Sequence, residues 1–125
     1  QLIGDFAPKL VSLTDDVLFG DIWERTELSS RDRSLITVAA LITGGNTEQL
    51  PGHLERARQN GLTELELKEV IIHLAFYAGW PKAMSAVQVA KRALRELIVM
   101  SGRLDRPRSA TTCDMREPAP LDETA

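Results

Sequence analysis

Two histidines, His53 and His73, are the chain's main candidates for acid–base chemistry. Imidazole has an ordinary pKa near neutral pH, so either ring suits proton transfer. Glu69, His73 and Tyr77 follow one another at intervals of four residues and would share one helix face. That stripe fits a site with a proton donor or a buried hydrogen-bond ladder at an interface, and the pattern alone favours the ladder. A lone histidine on an apolar face is also more often structural than catalytic.

His53 directly follows Pro51-Gly52, an unusual pair for a helix. If a helix begins at Pro51, the proline takes a position that needs no amide hydrogen. His53 then lies in the first turn, where free N–H groups and the positive helix end suit an anion and favour a neutral imidazole. The alternative is a helix that begins at Thr47 and tolerates a proline in its first turn.

Arg33 is the candidate cation for an acidic substrate. In "SSRDRSLIT" it lies one turn before Thr37, at the polar start of an otherwise apolar helix. A guanidinium there could hold a carboxylate in a two-pronged geometry. A solvated arginine paired with Asp32 or another neighbour fits the same pattern at least as well.

The composition excludes several classes of function. The net charge is -3 and basic residues alternate with acidic ones, which argues against nucleic-acid and anionic-membrane partners. No apolar run approaches the ~20 residues that span a bilayer. The first residues lack the basic and apolar regions of a secretory signal, so we expect none. The single cysteine, Cys113, can form neither an intrachain disulfide nor a cysteine-rich metal site, which fits a reducing cytoplasm.

The helical pattern predicts an all-α fold of about five to six helices. No alternating strand pattern or tight hairpin turn stands out in residues 1–100. Capping and stop residues predict helices near 8–19, from Ser29 or Ser30 to Gly44-Gly45, within the stretch 48–61 that ends at Asn60-Gly61, from Thr63 to Gly79, and from Pro81 to about Met100. Residues 101–125 carry three prolines and scattered apolar residues, which predicts a tail without a core of its own.

Two of these helices are too apolar for the surface of a monomer. The stretches "SLITVAALITGG" and "EVIIHLAFYAG" leave little polar face. A helix that is apolar nearly all round is normally buried on all sides. A domain of this size cannot easily bury two such helices alone, so we expect a homo-oligomer of at least three subunits.

Four pieces of the sequence together resemble the carboxymuconolactone decarboxylase family. They are "FGDIW", "LSSRDRSLITVAAL", "GHLERARQNGLTELELKEVI" with its histidine, and "HLAFYAGWPKA", in the family's order and spacing. The resemblance implies an all-α fold that assembles as a ring-like homo-oligomer, usually a hexamer. Pro51-Gly52 departs from the helix-friendly residues usual in the family before that histidine.

The resemblance also separates two branches of the family. The alkylhydroperoxidase D-like branch carries Cys-x-x-Cys, with a histidine four residues after the second cysteine. Counted back from His53, those positions hold Asn46 and Gln49, so the thiol chemistry is absent. The other branch decarboxylates 4-carboxymuconolactone in the β-ketoadipate pathway of aromatic degradation.

The chemistry of that branch implies a site without metal or cofactor. The departing carboxylate of its small anionic substrate is conjugated through a C=C bond to the lactone carbonyl, which takes up the electrons as a dienolate. The enzyme then needs donors for the oxyanion, an acid for carbon, and a cation for the remaining carboxylate. We expect catalysis from His53, His73 and Tyr77, and substrate binding from Arg33, Glu69 and Trp80.

Two rival functions fit the same sequence. The first is another lactone-directed reaction on the same scaffold, such as isomerisation or hydrolysis in a biosynthetic pathway. The second is a non-catalytic helical oligomer that binds a small ligand or partner. Catalysis predicts that both histidines line one cavity with Arg33 nearby, whereas the non-catalytic hypothesis predicts histidines with saturated hydrogen bonds in a dry interface.

Overall fold

The computed structural model describes residues 3–104, and these residues contain helices and turns but no strand. The elements in chain order are α1 (Pro8–Ser12), a π-helical turn (Leu13–Phe19), a 3-10 turn (Ile22–Glu24), α2 (Ser30–Gly44), α3 (Leu50–Gln59), α4 (Glu64–Tyr77) and α5 (Trp80–Leu104). The predicted all-α class is therefore confirmed. The predicted tail lies mostly outside the described residues, as does Cys113.

The predicted helix caps of α2 and α4 are present. The Ser29 hydroxyl accepts a hydrogen bond from the Asp32 N–H at 3.1 Å, and α2 ends at Gly45, whose φ of 71° favours glycine. The Thr63 hydroxyl accepts from the Glu66 N–H at 3.1 Å. The Glu66 carboxylate pairs with Arg31 of α2 instead of completing a capping box, so it joins two helices.

Three local features differ from the sequence-based prediction. The first predicted helix has the expected bounds, but its second half is π-helical. A 3-10 turn at Ile22–Glu24 was not predicted. The last helix begins at Trp80, one residue before the proline, and continues through Gly102 to Leu104; it passes Met100 because no glycine or proline lies between Pro81 and Gly102.

Helices α2 to α5 form one core. Small residues of α5 let it approach its neighbours closely, and leucines and β-branched residues of the other helices fill the remaining space. The buried apolar residues are Val38, Ile42, Leu50, Leu54, Ala57, Leu62, Leu67, Ile71, Ala83, Ala86, Ala90 and Leu94. The buried Ser34 hydroxyl accepts a 2.9 Å hydrogen bond from the Asn60 side chain, which ties the end of α3 to α2.

Apolar side chains of α2 and α4 remain exposed in the single chain. Leu65 and Phe76 of α4 are 77% and 81% exposed, and Ile36 of α2 is also exposed. The sequence predicts subunit contacts, and these exposed apolar side chains provide a surface for them. Among residues 3–104, no helix is both long and apolar enough to cross a membrane.

Candidate functional site

Helix α3 presents His53 in its first turn. The helix begins at Leu50, and residues 47–49 form a turn, so the alternative start at Thr47 is wrong. The His53 N–H donates to the Gln49 carbonyl at 3.4 Å, and the Gly52 N–H has no acceptor among residues 3–104. A Cβ added to Gly52 would meet no atom within 4 Å, so the residue is open on its outer side.

Two aromatic residues, Phe19 and Trp23, pack against α3, and we call them the aromatic cover. The rings of Trp23 and His53 stack with centroids 6.4 Å apart and an angle of 25°. Phe19 lies 5.9 Å from Trp23, and the Arg56 guanidinium lies 4.2 Å from the Phe19 centroid and 5.4 Å from that of Trp23. These cation–π contacts hold the cover against α3.

The environment of His53 keeps its imidazole neutral. Burial lowers the pKa of His53 below its ordinary value, and the positive charge of Arg56 lowers it further. The predicted direction is therefore confirmed, but its causes are burial and Arg56, not the helix start. The His53 Nδ1 atom is buried and has no hydrogen-bond partner among the described residues.

Arg33 lies beside the same short segment that carries Trp23. Its Nη2 atom donates to the Arg25 carbonyl at 3.2 Å, while its Nε atom is buried without a partner among residues 3–104. Asp32 lies 3.9 Å from Arg31 instead, so the alternative pairing of Asp32 with Arg33 is wrong. The Nε–H group thus remains for one prong of a two-pronged carboxylate contact.

Two of the predicted residues each contact the same short segment, residues 23–25. His53 stacks on Trp23, and Arg33 binds Arg25 two residues further on. A buried polar atom without a partner costs about 1–3 kcal/mol, so the Arg33 Nε and His53 Nδ1 atoms are each available to a further hydrogen-bonding group. We call His53, Arg33, Arg56 and the aromatic cover the His53 site.

The other four predicted residues lie on a different, exposed surface. The rings of His73 and Tyr77 stack with centroids 4.8 Å apart, and no hydrogen bond joins either to Glu69 in the described chain. Tyr77 is 79% exposed and Trp80 is 63% exposed. Glu69 and His73 border a shallow cavity of about 380 Å³ between α2 and α4.

The His53 site does not meet the group of Glu69, His73, Tyr77 and Trp80 within one chain. Neither His53 nor Arg33 lines the cavity beside His73. Within residues 3–104, no hydrogen bond, ion pair or aromatic contact joins the two groups. The roles predicted for Glu69, His73, Tyr77 and Trp80 stay predictions.

Sequence reasoning missed Phe19, Trp23 and Arg56 as parts of the site. Both aromatic residues lie in the "FGDIW" motif that carried the family resemblance, but nothing in their spacing indicates contact with α3. Arg56 lies three residues after His53, and that helical spacing could have identified it as a neighbour. No group of His, Cys, Asp or Glu side chains within residues 3–104 could hold a metal ion.

Comparison with known proteins identifies the fold family. The model of the carboxymuconolactone decarboxylase family matches residues 8–92. This chain belongs to that family. The match includes the aromatic cover, both histidines, Arg33 and Trp80, so the two groups described above lie within the family's domain.

Two characterised family relatives are each 34% identical to the chain. One is the 4-carboxymuconolactone decarboxylase of Acinetobacter baylyi, aligned over 95 residues that cover 76% of this chain and 71% of that protein. The other is the nitrosuccinic acid decarboxylase of Metarhizium robertsii, aligned over 89 residues that cover 71% of this chain and 62% of that protein. The chain thus spans less than two thirds of the second relative.

Proposed function

We propose that this carboxymuconolactone decarboxylase family member removes carbon dioxide from a small organic acid that carries a second acidic group. The two relatives carry the names of decarboxylases and cover most of this chain. The observation that carries the proposal is the His53 site, where His53 contacts Trp23, Arg33 contacts the nearby Arg25 carbonyl, and each has a buried nitrogen without a partner among residues 3–104. Such a site suits an anion that develops charge during reaction.

The reaction needs no redox partner. The bond between carbon and the carboxylate breaks, carbon dioxide leaves, and the electron pair moves into a neighbouring electron-withdrawing group. One proton from an acid then bonds to the carbon that lost the carboxylate. The enzyme must therefore hold the substrate's other anionic group, stabilise the new oxyanion and deliver one proton.

The His53 site divides these tasks between its residues. Arg33 holds the remaining carboxylate through its Nε–H group. The neutral imidazole of His53 donates a hydrogen bond to the oxyanion, because a ring with a lowered pKa is uncharged at neutral pH. Trp23 stacks on the imidazole and shields that ring from water, which strengthens its hydrogen bond. His73, Tyr77, Glu69 and Trp80 take part where a second subunit brings them to this site.

Two substrates follow from the relatives' names. In 4-carboxymuconolactone, the lactone carbonyl receives the electrons; in nitrosuccinic acid, the nitro group next to the carboxylate does so. Both acids place a second carboxylate or lactone oxygen within reach of a cation. We propose the lactone, and hence the β-ketoadipate pathway, as the first candidate, because that relative aligns over more of its length.

The proposal also covers the cofactor requirement, the location and the assembly of the enzyme. We propose that the enzyme uses no cofactor, works in the cytoplasm and assembles as a ring-like homohexamer. The exposed apolar residues of α2 and α4 support the assembly.

A substrate comparison tests the proposed function. The protein is incubated with each acid, and carbon dioxide release is followed beside the Arg33→Gln variant. We expect release from one acid and a strong loss with Arg33→Gln, which removes the charge and keeps a polar side chain. Consumption of the lactone without carbon dioxide would favour isomerisation or hydrolysis. Binding of either acid without turnover would favour the non-catalytic oligomer.

A further inference from the structure

The N-terminal arm, defined here as Pro8–Phe19, presents an apolar stripe to solvent. Leu10, Leu13 and Val17 follow at spacings of three and four residues, and they are between 42% and 56% exposed. The arm meets the core at its end, where Phe19 contacts Arg56. An amphipathic segment with an uncovered apolar stripe needs a surface to cover it.

A matching groove runs between α4 and α5, and we call it the α4–α5 groove. Its volume is about 420 Å³. Its floor consists of Ile71, Ile72, Val87, Ala90, Leu94 and Ile98. From Val87 to Ile98 the groove spans roughly 16 Å at 1.5 Å per helical residue, while the stripe from Leu10 to Val17 needs roughly 10 Å.

The rim of the groove carries basic residues that are opposite in charge to an aspartate pair of the arm. Lys91 and Arg95 border the groove, and neither forms an ion pair among the described residues. Lys68, on the opposite rim, is already paired with Glu64 at 3.1 Å. The arm carries adjacent exposed aspartates, Asp15 and Asp16. The apolar stripe of the arm therefore matches the apolar floor of the groove. The acidic pair of the arm is likewise complementary to the basic pair on the rim.

We propose that the N-terminal arm of one subunit docks in the α4–α5 groove of a second copy of this chain. The arm of the same chain lies elsewhere, because its Phe19 end packs on Arg56 of α3 while the groove lies between α4 and α5. Leu10, Leu13 and Val17 enter the groove, and Asp15 and Asp16 pair with Lys91 and Arg95. The aromatic cover of the His53 site is then tied to the assembly through the arm.

Charge reversal tests the pairing without any substrate, so its result does not depend on the proposed function. We expect Lys91→Glu with Arg95→Glu to shift the light-scattering mass towards smaller species, and Asp15→Lys with Asp16→Lys to do the same. Combining all four changes should restore the parent mass. Arg92→Glu, on the same helix but outside the groove, should leave the mass unchanged. Unchanged assembly in both reversed variants, or no recovery in the combination, would overturn the proposal.

Crosslinking identifies the occupant of the groove directly. Val87→p-benzoylphenylalanine is illuminated, and adducts are separated on a denaturing gel and digested with trypsin. An adduct of two chains joined through peptide 10–25 supports the proposal. An adduct within one chain to residues 105–125 identifies the C-terminal tail as occupant and overturns it. An adduct between two α4–α5 grooves, or no adduct to the arm, overturns it as well.

Discussion

At the residue scale, His53 is the position on which the proposed chemistry depends most. Its ring stacks on Trp23 and has a buried nitrogen without a partner in the described chain. We expect His53→Ala to lower turnover of the active acid by roughly a hundredfold or more, the usual effect of losing an oxyanion donor or acid. Steady-state kinetics measures this.

A second substitution separates the two roles of His53. His53→Gln keeps a hydrogen-bond donor but cannot transfer a proton, so retained activity indicates a donor and lost activity indicates an acid. His73→Gln, on the exposed face of α4, tests the second group of predicted residues in the same assay. Full activity in His53→Ala together with loss in His73→Gln would move the site to His73 and Tyr77.

The lowered pKa of His53 also predicts how stability depends on pH. The folded protein holds this proton less tightly than the unfolded chain, whose histidine titrates near 6.5. The contribution of the neutral His53 ring to the free energy of unfolding is therefore fully present above pH 6.5. It is lost as the pH falls through the lower pKa that His53 has in the folded protein. Urea unfolding at pH 7.5 and 5.5 should show a smaller loss for His53→Gln than for the parent. An equal loss in both proteins would contradict the assignment.

At the element scale, a substitution at Gly52 in the first turn of α3 distinguishes an effect on helix stability from an effect on anion binding. Gly52→Ala adds a Cβ to open space, so we expect the free energy of unfolding to rise by up to about 1 kcal/mol. If the Gly52 N–H group contacts the substrate, the same variant should raise KM. Gly61→Ala is the control, because the φ of 100° at Gly61 disfavours alanine and should destabilise the protein. Destabilisation by Gly52→Ala would show that a neighbouring subunit occupies this space.

The helix ends account for most of what could be predicted at this scale. Ser29, Thr63 and Gly45 act through hydrogen bonds and backbone angles within a few residues, so their types indicate their roles. The π-helical turn at Leu13–Phe19 and the 3-10 turn at Ile22–Glu24 have no such local signature.

At the scale of the whole molecule, the exposed apolar residues predict an assembly. We expect light scattering at micromolar concentration to give at least a trimer and, by family resemblance, a hexamer, because Phe76 and Leu65 would otherwise face water. A monomer under these conditions would remove the main physical support for shared subunit contacts.

Thiol peroxidase activity should be absent from the same assembly. Asn46 and Gln49 stand where the peroxidase branch of the family carries cysteines. We expect no hydroperoxide reduction with a dithiol donor, and unchanged decarboxylation in Cys113→Ser. A large loss of decarboxylation in Cys113→Ser would mean that the C-terminal segment contributes to the site.

The sequence by itself determined the all-α class, the caps of α2 and α4, and the family. These follow from local hydrogen bonding, residue spacing and recognisable motifs. Only the tertiary structure decided that Trp23 stacks on His53, that Phe19 and Arg56 pack beside them, and that His73 stacks on Tyr77 apart from this group. The physical reason is that periodicity assigns a residue to a helix face, whereas packing between distant segments decides what that face contacts.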